Sequence, residues 1–107
     1  MFPRTALVTG GASGIGAATV DLLRSEGAEV QSLDLASGFD VSDAQGWETV
    51  GAVELACLNA GVVTGETEIA RLSDEAYRRI VGTNLDGVVF GTRRGQRREI
   101  RSRACWA

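Results

Sequence analysis

Thr9-Gly10-Gly11-Ala12-Ser13-Gly14-Ile15-Gly16 follows directly on the apolar stretch Ala6-Leu7-Val8 and leads directly into a helical pattern. Glycines at 10, 14 and 16 let the backbone bend sharply and approach a ligand with no Cβ in the way. A helix starting near Gly14 would point its free N–H groups at a phosphate, so the run reads as a turn able to seat a diphosphate. Glycine-rich runs also occur as plain turns, and the flanking segments decide between the two.

Those segments alternate strand and helix. A strand from about Arg4 to Val8 precedes the turn, and a helix to about Glu26 follows it, with Ile15, Ala18, Thr19, Leu22 and Leu23 on one expected inner face and Gly27 as the stop. A second strand spans Glu29 to Leu33, a short third segment surrounds Phe39-Asp40-Val41, and Ala44 to Val50 is a candidate short helix. Val53 to Leu58 reads as a fourth strand, apolar enough to be buried on both faces, as in a parallel sheet. Strand, helix, strand at this spacing implies right-handed crossovers. A second long helix starts at Ser73, a candidate N-cap with Asp74 and Glu75 in the first turn. Its expected core stripe is Tyr77, Ile80, Val81, Leu85 and Val88, with Asn84 on the same face, either as a bridge to backbone or as a functional group.

At 107 residues the chain allows one small domain, and a hydrophobic content of 44% fits a soluble globular protein. No apolar run approaches a membrane span and Met1 to Thr5 leads straight into a strand, so a cytoplasmic location without a membrane partner is expected. Cys57 and Cys105 show no C-x-x-C spacing and the chain has no His, which leaves a zinc site without its usual ligands and a cysteine nucleophile without a base. Both read as free thiols, Cys57 as a small core residue. Residues 1 to 92 carry 13 Asp and Glu against 5 Arg, a balance of -8, whereas residues 93 to 107 carry 6 Arg against Glu99, a balance of +5. All 11 basic residues are Arg.

Asp34 closes the second strand, 18 residues after Gly16. A carboxylate there can accept hydrogen bonds from ribose hydroxyls and repel a 2′-phosphate; the plainer alternative is a surface Asp at a strand end. Ala12, Ser13 and Leu35 offer no positive charge to a 2′-phosphate, so NAD is favoured over NADP. Taken in order, Thr9-Gly10-x-x-x-Gly14-x-Gly16, Asp34, Asp40-Val41, Asn59-Ala60-Gly61, and Asn84 within Thr83-Asn84-Leu85-Asp86-Gly87 resemble the motifs of the short-chain dehydrogenase/reductase family over residues 4 to about 92. The resemblance implies a Rossmann-type, doubly wound α/β sheet, here stopping after about four strands in the order 3-2-1-4. It implies cofactor contacts from Thr9, Gly10, Ser13, Gly14, Ile15, Gly16, Asp34, Leu35, Asp40, Val41, Asn59, Ala60 and Gly61, with Asp40-Val41 beside the adenine. Asn84 matches the helix Asn that helps hold a proton-relay water, a catalytic role, in hydride transfer to or from a small alcohol or carbonyl substrate.

Two departures qualify this. Only 18 residues separate Asp40 from Asn59, short for the family, so the third helix and the approach to the fourth strand are expected to be trimmed. The family's Tyr-x-x-x-Lys is absent: the only tyrosine, Tyr77, is followed four positions on by Val81, there is no Lys, and Ser102 stands in the wrong context for the catalytic serine. Tyr77 reads instead as a helix core residue. Beyond Thr92 the apolar pattern gives way to arginines, so residues 1–92 are expected to form an incomplete NAD-binding unit and 93–107 a tail outside the fold. Three origins for that tail compete: an out-of-frame end on a truncated product, which leads; a genuine short form; and a segment that binds nucleic acid, the alternative function, with Trp106 as a stacking surface. Truncation would leave the fourth strand's outer edge open and favour self-association, and would leave cofactor binding without hydride transfer.

Overall fold

The computed structural model describes residues 3–97 and 103–106. Met1, Phe2, Ala107, Ser102 and the arginines at 98 and 101 lie outside the described residues. The sheet is built from β1 (Thr5–Thr9), β2 (Glu29–Leu33), β3 (Leu55–Leu58) and β4 (Arg103–Trp106), all parallel, in the order β2-β1-β3-β4. Helix α1 (Gly14–Ser25) connects β1 to β2, the short α2 (Ala44–Trp47) precedes β3, and α3 (Asp74–Val81) runs through a π-turn at Gly82–Asp86 into α4 (Gly87–Arg97).

Apolar side chains alternate across central β1, so each face of the sheet holds its own core. Leu7 packs with Val41, Trp47, Val50, Val53, Ala56 and Leu58, flanked by half-buried Val88 and Phe90 from α4. Ala6 and Val8 pack on the other face with Val20 and Leu23 of α1, Ala28 and Cys57. Period-two alternation sends neighbouring residues to opposite faces, which is why a continuous apolar strand belongs at the centre.

Three expectations are corrected. Phe39-Asp40-Val41 is a loop, because its backbone groups are taken locally: Phe39 N–H donates to the Asp34 carbonyl (2.8 Å), Asp43 N–H to that of Asp40 (3.1 Å), and Trp47 Nε1–H to that of Val41 (2.8 Å). No strand forms there, and the expected order 3-2-1-4 keeps its last three strands, here β2-β1-β3. On α1 the inner face is Gly16, Val20 and Leu23, while Ile15 and Leu22 stand 74% and 61% exposed. On the second long helix Tyr77 and Leu85 are 56% and 57% exposed and Asn84 is exposed, so they leave the expected core stripe, whereas Ile80, Val81 and Val88 are half-buried and Val88 packs on the core. The π-turn adds a residue to one turn and breaks the helical phase in the middle of the pattern. The face that packs inward is small instead. A Cβ at Gly87 would meet Val41 Cγ2 at 2.7 Å, and one at Gly91 would meet Leu58 Cδ2 at 2.7 Å.

The C-terminal segment also differs from expectation. The backbone of Arg103–Trp106 pairs with Leu55–Leu58, so the edge of β3 is covered, and the boundary expected at Thr92 falls inside α4. Ser73 caps α3 as expected, its Oγ accepting from Ala76 N–H at 3.1 Å.

Candidate functional site

The glycine run turns the chain from the C-terminal end of β1 into α1, and two bonds hold that turn over the sheet. Gly10 N–H donates to the Leu33 carbonyl at the end of β2 (2.8 Å), and the buried Thr9 Oγ1 accepts from Ala60 N–H beyond the end of β3 (3.0 Å). Gly10 and Gly14 have φ of 69° and 57°, the left-handed region that glycine enters without strain. Gly16 is needed for a different reason: a Cβ there would lie 2.0 Å from the Gly10 carbonyl oxygen and 2.7 Å from Asn59 Nδ2. Ser13 sits at the N-cap of α1 but makes no side-chain capping bond, so its side chain leaves the first-turn N–H groups unclaimed. A helix start left this way suits an anion.

Beside the turn lies a cavity of about 270 Å³ that brings distant parts of the sequence together. Gly10, Ala12 and Ser13 form one side; Asp34, Leu35, Ala36 and Phe39 the next; Asp40 and Val41 the floor of the loop; Ala60, Gly61, Val62 and Thr83 the side under the long helix. Eight of the expected cofactor residues, Gly10, Ser13, Asp34, Leu35, Asp40, Val41, Ala60 and Gly61, line it. Thr9, Gly14 and Gly16 shape the turn from outside the cavity, and exposed Ile15 does not reach it. Asn59 and Asn84 line an adjoining hollow with Leu58, Ala60, Gly61 and Val88.

Asp34 is held by its own loop. Its Oδ1 accepts from Ser37 N–H (3.0 Å), and its backbone N–H donates to Ser37 Oγ (3.0 Å), a reciprocal capping box. Its Oδ2 is buried with no hydrogen-bond partner among the described residues. A buried carboxylate oxygen without a donor is costly, and the residue that carries it lines the cavity. Asp40 is anchored similarly, one oxygen accepting from Ser42 N–H (2.9 Å) and Ser42 Oγ–H (2.6 Å). Asn84 bridges to backbone: Oδ1 accepts from Val62 N–H (2.7 Å) and Nδ2–H donates to the Val62 carbonyl (2.8 Å). That pair ties the loop after Asn59-Ala60-Gly61 to the π-turn.

Sequence reasoning missed Phe39, Ala36, Val62 and Thr83 as cavity walls. Phe39 and Thr83 directly precede Asp40 and Asn84, so adjacency to a motif was the available signal. It also missed Arg94, 8% exposed, whose guanidinium donates to the carbonyls of Glu48 and Val50 and pairs with Glu48 Oε2 at 2.9 Å. No sequence pattern marks that residue, which stands among other arginines. No helix among the described residues is long and apolar enough to cross a membrane.

No protein-family model matches the chain. An NADP-dependent (R)-specific alcohol dehydrogenase from Lentilactobacillus kefiri is 33% identical over 122 residues, the match covering 89% of this chain and 48% of that one. A 3beta-hydroxysteroid dehydrogenase from Eggerthella lenta is 30% identical over 122 residues, covering 88% and 47%. The solved structure of a small-chain dehydrogenase in complex with NADPH matches with a TM-score of 0.77 at 28% identity, over 88% of this chain and 45% of that chain. The chain therefore spans about half the length of the curated relatives it matches. With the motifs in order along the chain, a parallel β2-β1-β3 sheet beneath them and these likenesses over nearly all of its length, the chain belongs to the short-chain dehydrogenase/reductase family and corresponds to its N-terminal portion.

Proposed function

We propose that this chain binds a nicotinamide dinucleotide, NAD(H) in preference to NADP(H), at the cleft between the glycine turn and the Asp34 loop. The observation that carries this reading is Asp34 itself: a carboxylate with one oxygen buried and unpartnered, on the same cavity as Gly10, Ser13 and Ala60-Gly61. The Thr9–Gly16 turn and the uncapped start of α1 would take the diphosphate, with Ile15 at its rim. Asp34 would accept from the ribose hydroxyls, and Leu35 with Asp40-Val41 would flank the adenine. The L. kefiri relative is NADP-dependent by name, so the preference for NAD(H) is drawn from Asp34 and its non-basic neighbours in this chain.

When bound, the nicotinamide supplies a hydride donor or acceptor for an alcohol or carbonyl carbon, the reaction class we assign by family to the whole protein. What this chain contributes is binding and orientation. Asn59-Ala60-Gly61 would border the nicotinamide half, and Asn84 would act by fixing the loop through Val62. With no Tyr-x-x-x-Lys in the sequence, we assign these 107 residues cofactor binding without hydride transfer of their own, in a cytoplasmic setting.

Titrating the purified chain with NADH and NADPH, followed by nicotinamide fluorescence, tests this. NADH is expected to bind at least about ten-fold more tightly, and Asp34→Ala to erase the difference. Equal affinities, or no binding of either, would overturn the cofactor reading. Sustained NAD-dependent oxidation of simple secondary alcohols by the 107-residue chain would overturn the binding-only reading.

A further inference from the structure

We propose that Ser37 is a positioning residue for cofactor choice, acting through Asp34; this rests on the NAD(H) reading above. Ser37 is exposed and does not line the cavity, yet its N–H and its hydroxyl are both spent on Asp34. Its N–H donates to Asp34 Oδ1 at 3.0 Å and to the Asp34 carbonyl at 3.1 Å; its Oγ accepts from Asp34 N–H at 3.0 Å and donates to the Asp34 carbonyl at 2.9 Å. Gly38 at φ 83° lets the chain turn back, and Phe39 N–H closes on the same carbonyl at 2.8 Å. The segment 34–39 is thus a closed turn in which the bonds of Ser37 and Phe39 converge on Asp34, and Gly38 N–H donates to the Leu35 carbonyl at 3.0 Å.

The consequence is a division of labour between the two carboxylate oxygens. Binding Oδ1 to the Ser37 N–H fixes the rotation of the carboxylate, and the hydroxyl fixes the backbone that carries it. Oδ2 is left buried and without a donor, on a residue that lines the cavity. A carboxylate so fixed meets a ribose 2′-hydroxyl with a ready acceptor and a 2′-phosphate with an immovable negative charge. If the carboxylate could swing away, it would lose the first interaction and relax the second. Selection therefore depends on the serine as well as on the aspartate.

Ser37→Ala removes the two hydroxyl bonds and keeps the backbone N–H. In the full 107-residue chain it is expected to weaken NADH binding about five-fold while NADPH binding stays the same or tightens, shrinking the NADPH-to-NADH ratio of Kd. Ser37→Thr, which retains the hydroxyl, should restore the ratio, and Ser37→Gly carries the same test if the alanine variant does not fold. Denaturant midpoints measured alongside separate a loss of fold from a loss of selection. Equal weakening of both cofactors, or an unchanged ratio in Ser37→Ala with a wild-type chain that prefers NADH, would overturn the proposal and leave the NAD(H) reading standing. A wild-type chain that binds neither cofactor, or both alike, would overturn that reading and this one with it.

Discussion

At the scale of the residue, the site is legible wherever chemistry restricts the residue type. Gly16 is fixed by a carbonyl oxygen that leaves no room for a methyl group, and Asp34 is marked by its place at the end of β2 after the glycine turn, so both stand out in the bare sequence. Ser37 was available as well, since an Asp followed three residues later by a Ser is a capping-box spacing. What the sequence hid is which face of α1 packs: of the expected Ile15, Ala18, Thr19, Leu22 and Leu23 only Leu23 is buried, beside Gly16 and Val20, and packing on the sheet decides this. Gly16→Ala tests the glycine. The obstacle is backbone rather than a flexible side chain, so the turn itself must shift, at a cost of about 2 kcal/mol or more in urea denaturation. The same variant should lose NADH binding at concentrations that saturate the wild type.

At the scale of the element, local bonds override period. Phe39-Asp40-Val41 has the composition of a strand, and the carbonyls of Asp34, Asp40 and Val41 bond within the loop instead. The long helix has an apolar period on either side of Asn84, and the π-turn puts the two halves out of phase. Neither effect can be read from spacing, because each depends on which partner takes a particular carbonyl. The joint between α2 and α4 is of the same kind. Arg94 reaches from α4 to the carbonyls of Glu48 and Val50 at 2.8 to 3.1 Å, holding in place the short helix whose Trp47 packs edge-on against Phe39, at 5.0 Å between ring centroids, in the cavity wall. Arg94→Ala would orphan those carbonyls and is expected to cost about 3 kcal/mol. Arg94→Lys should recover little of it, since a single ammonium cannot reproduce the planar fork. Ser73→Ala, by contrast, removes one exposed cap and should cost about 1 kcal/mol in the same unfolding experiment.

At the scale of the whole molecule, the positions of the three shared strands follow from the apolar runs and their order from the family resemblance, while the edges follow from neither, because edges depend on which segment arrives last. Without a strand at Phe39–Val41, β2 is one edge of the sheet, and its exposed Glu29 and Gln31 are poor templates for another chain. The other side of β3 is covered by β4, drawn from the segment of charge +5 that follows a body of charge -8. Opposite charges favour that return of the chain, and salt should weaken it. Self-association is then expected to depend on whether β4 is in place. A chain ending at Arg97 would present the outer edge of Leu55–Leu58, four residues buried or half-buried beside their neighbours, with its N–H and C=O groups unpaired. Sedimentation velocity at several concentrations should show that shortened chain associating with increasing concentration, and the 107-residue chain associating less. Equal behaviour of the two would mean that β4 does not protect the edge, and that the exposed helix residues Tyr77, Leu85 and Val89 are what bring copies together.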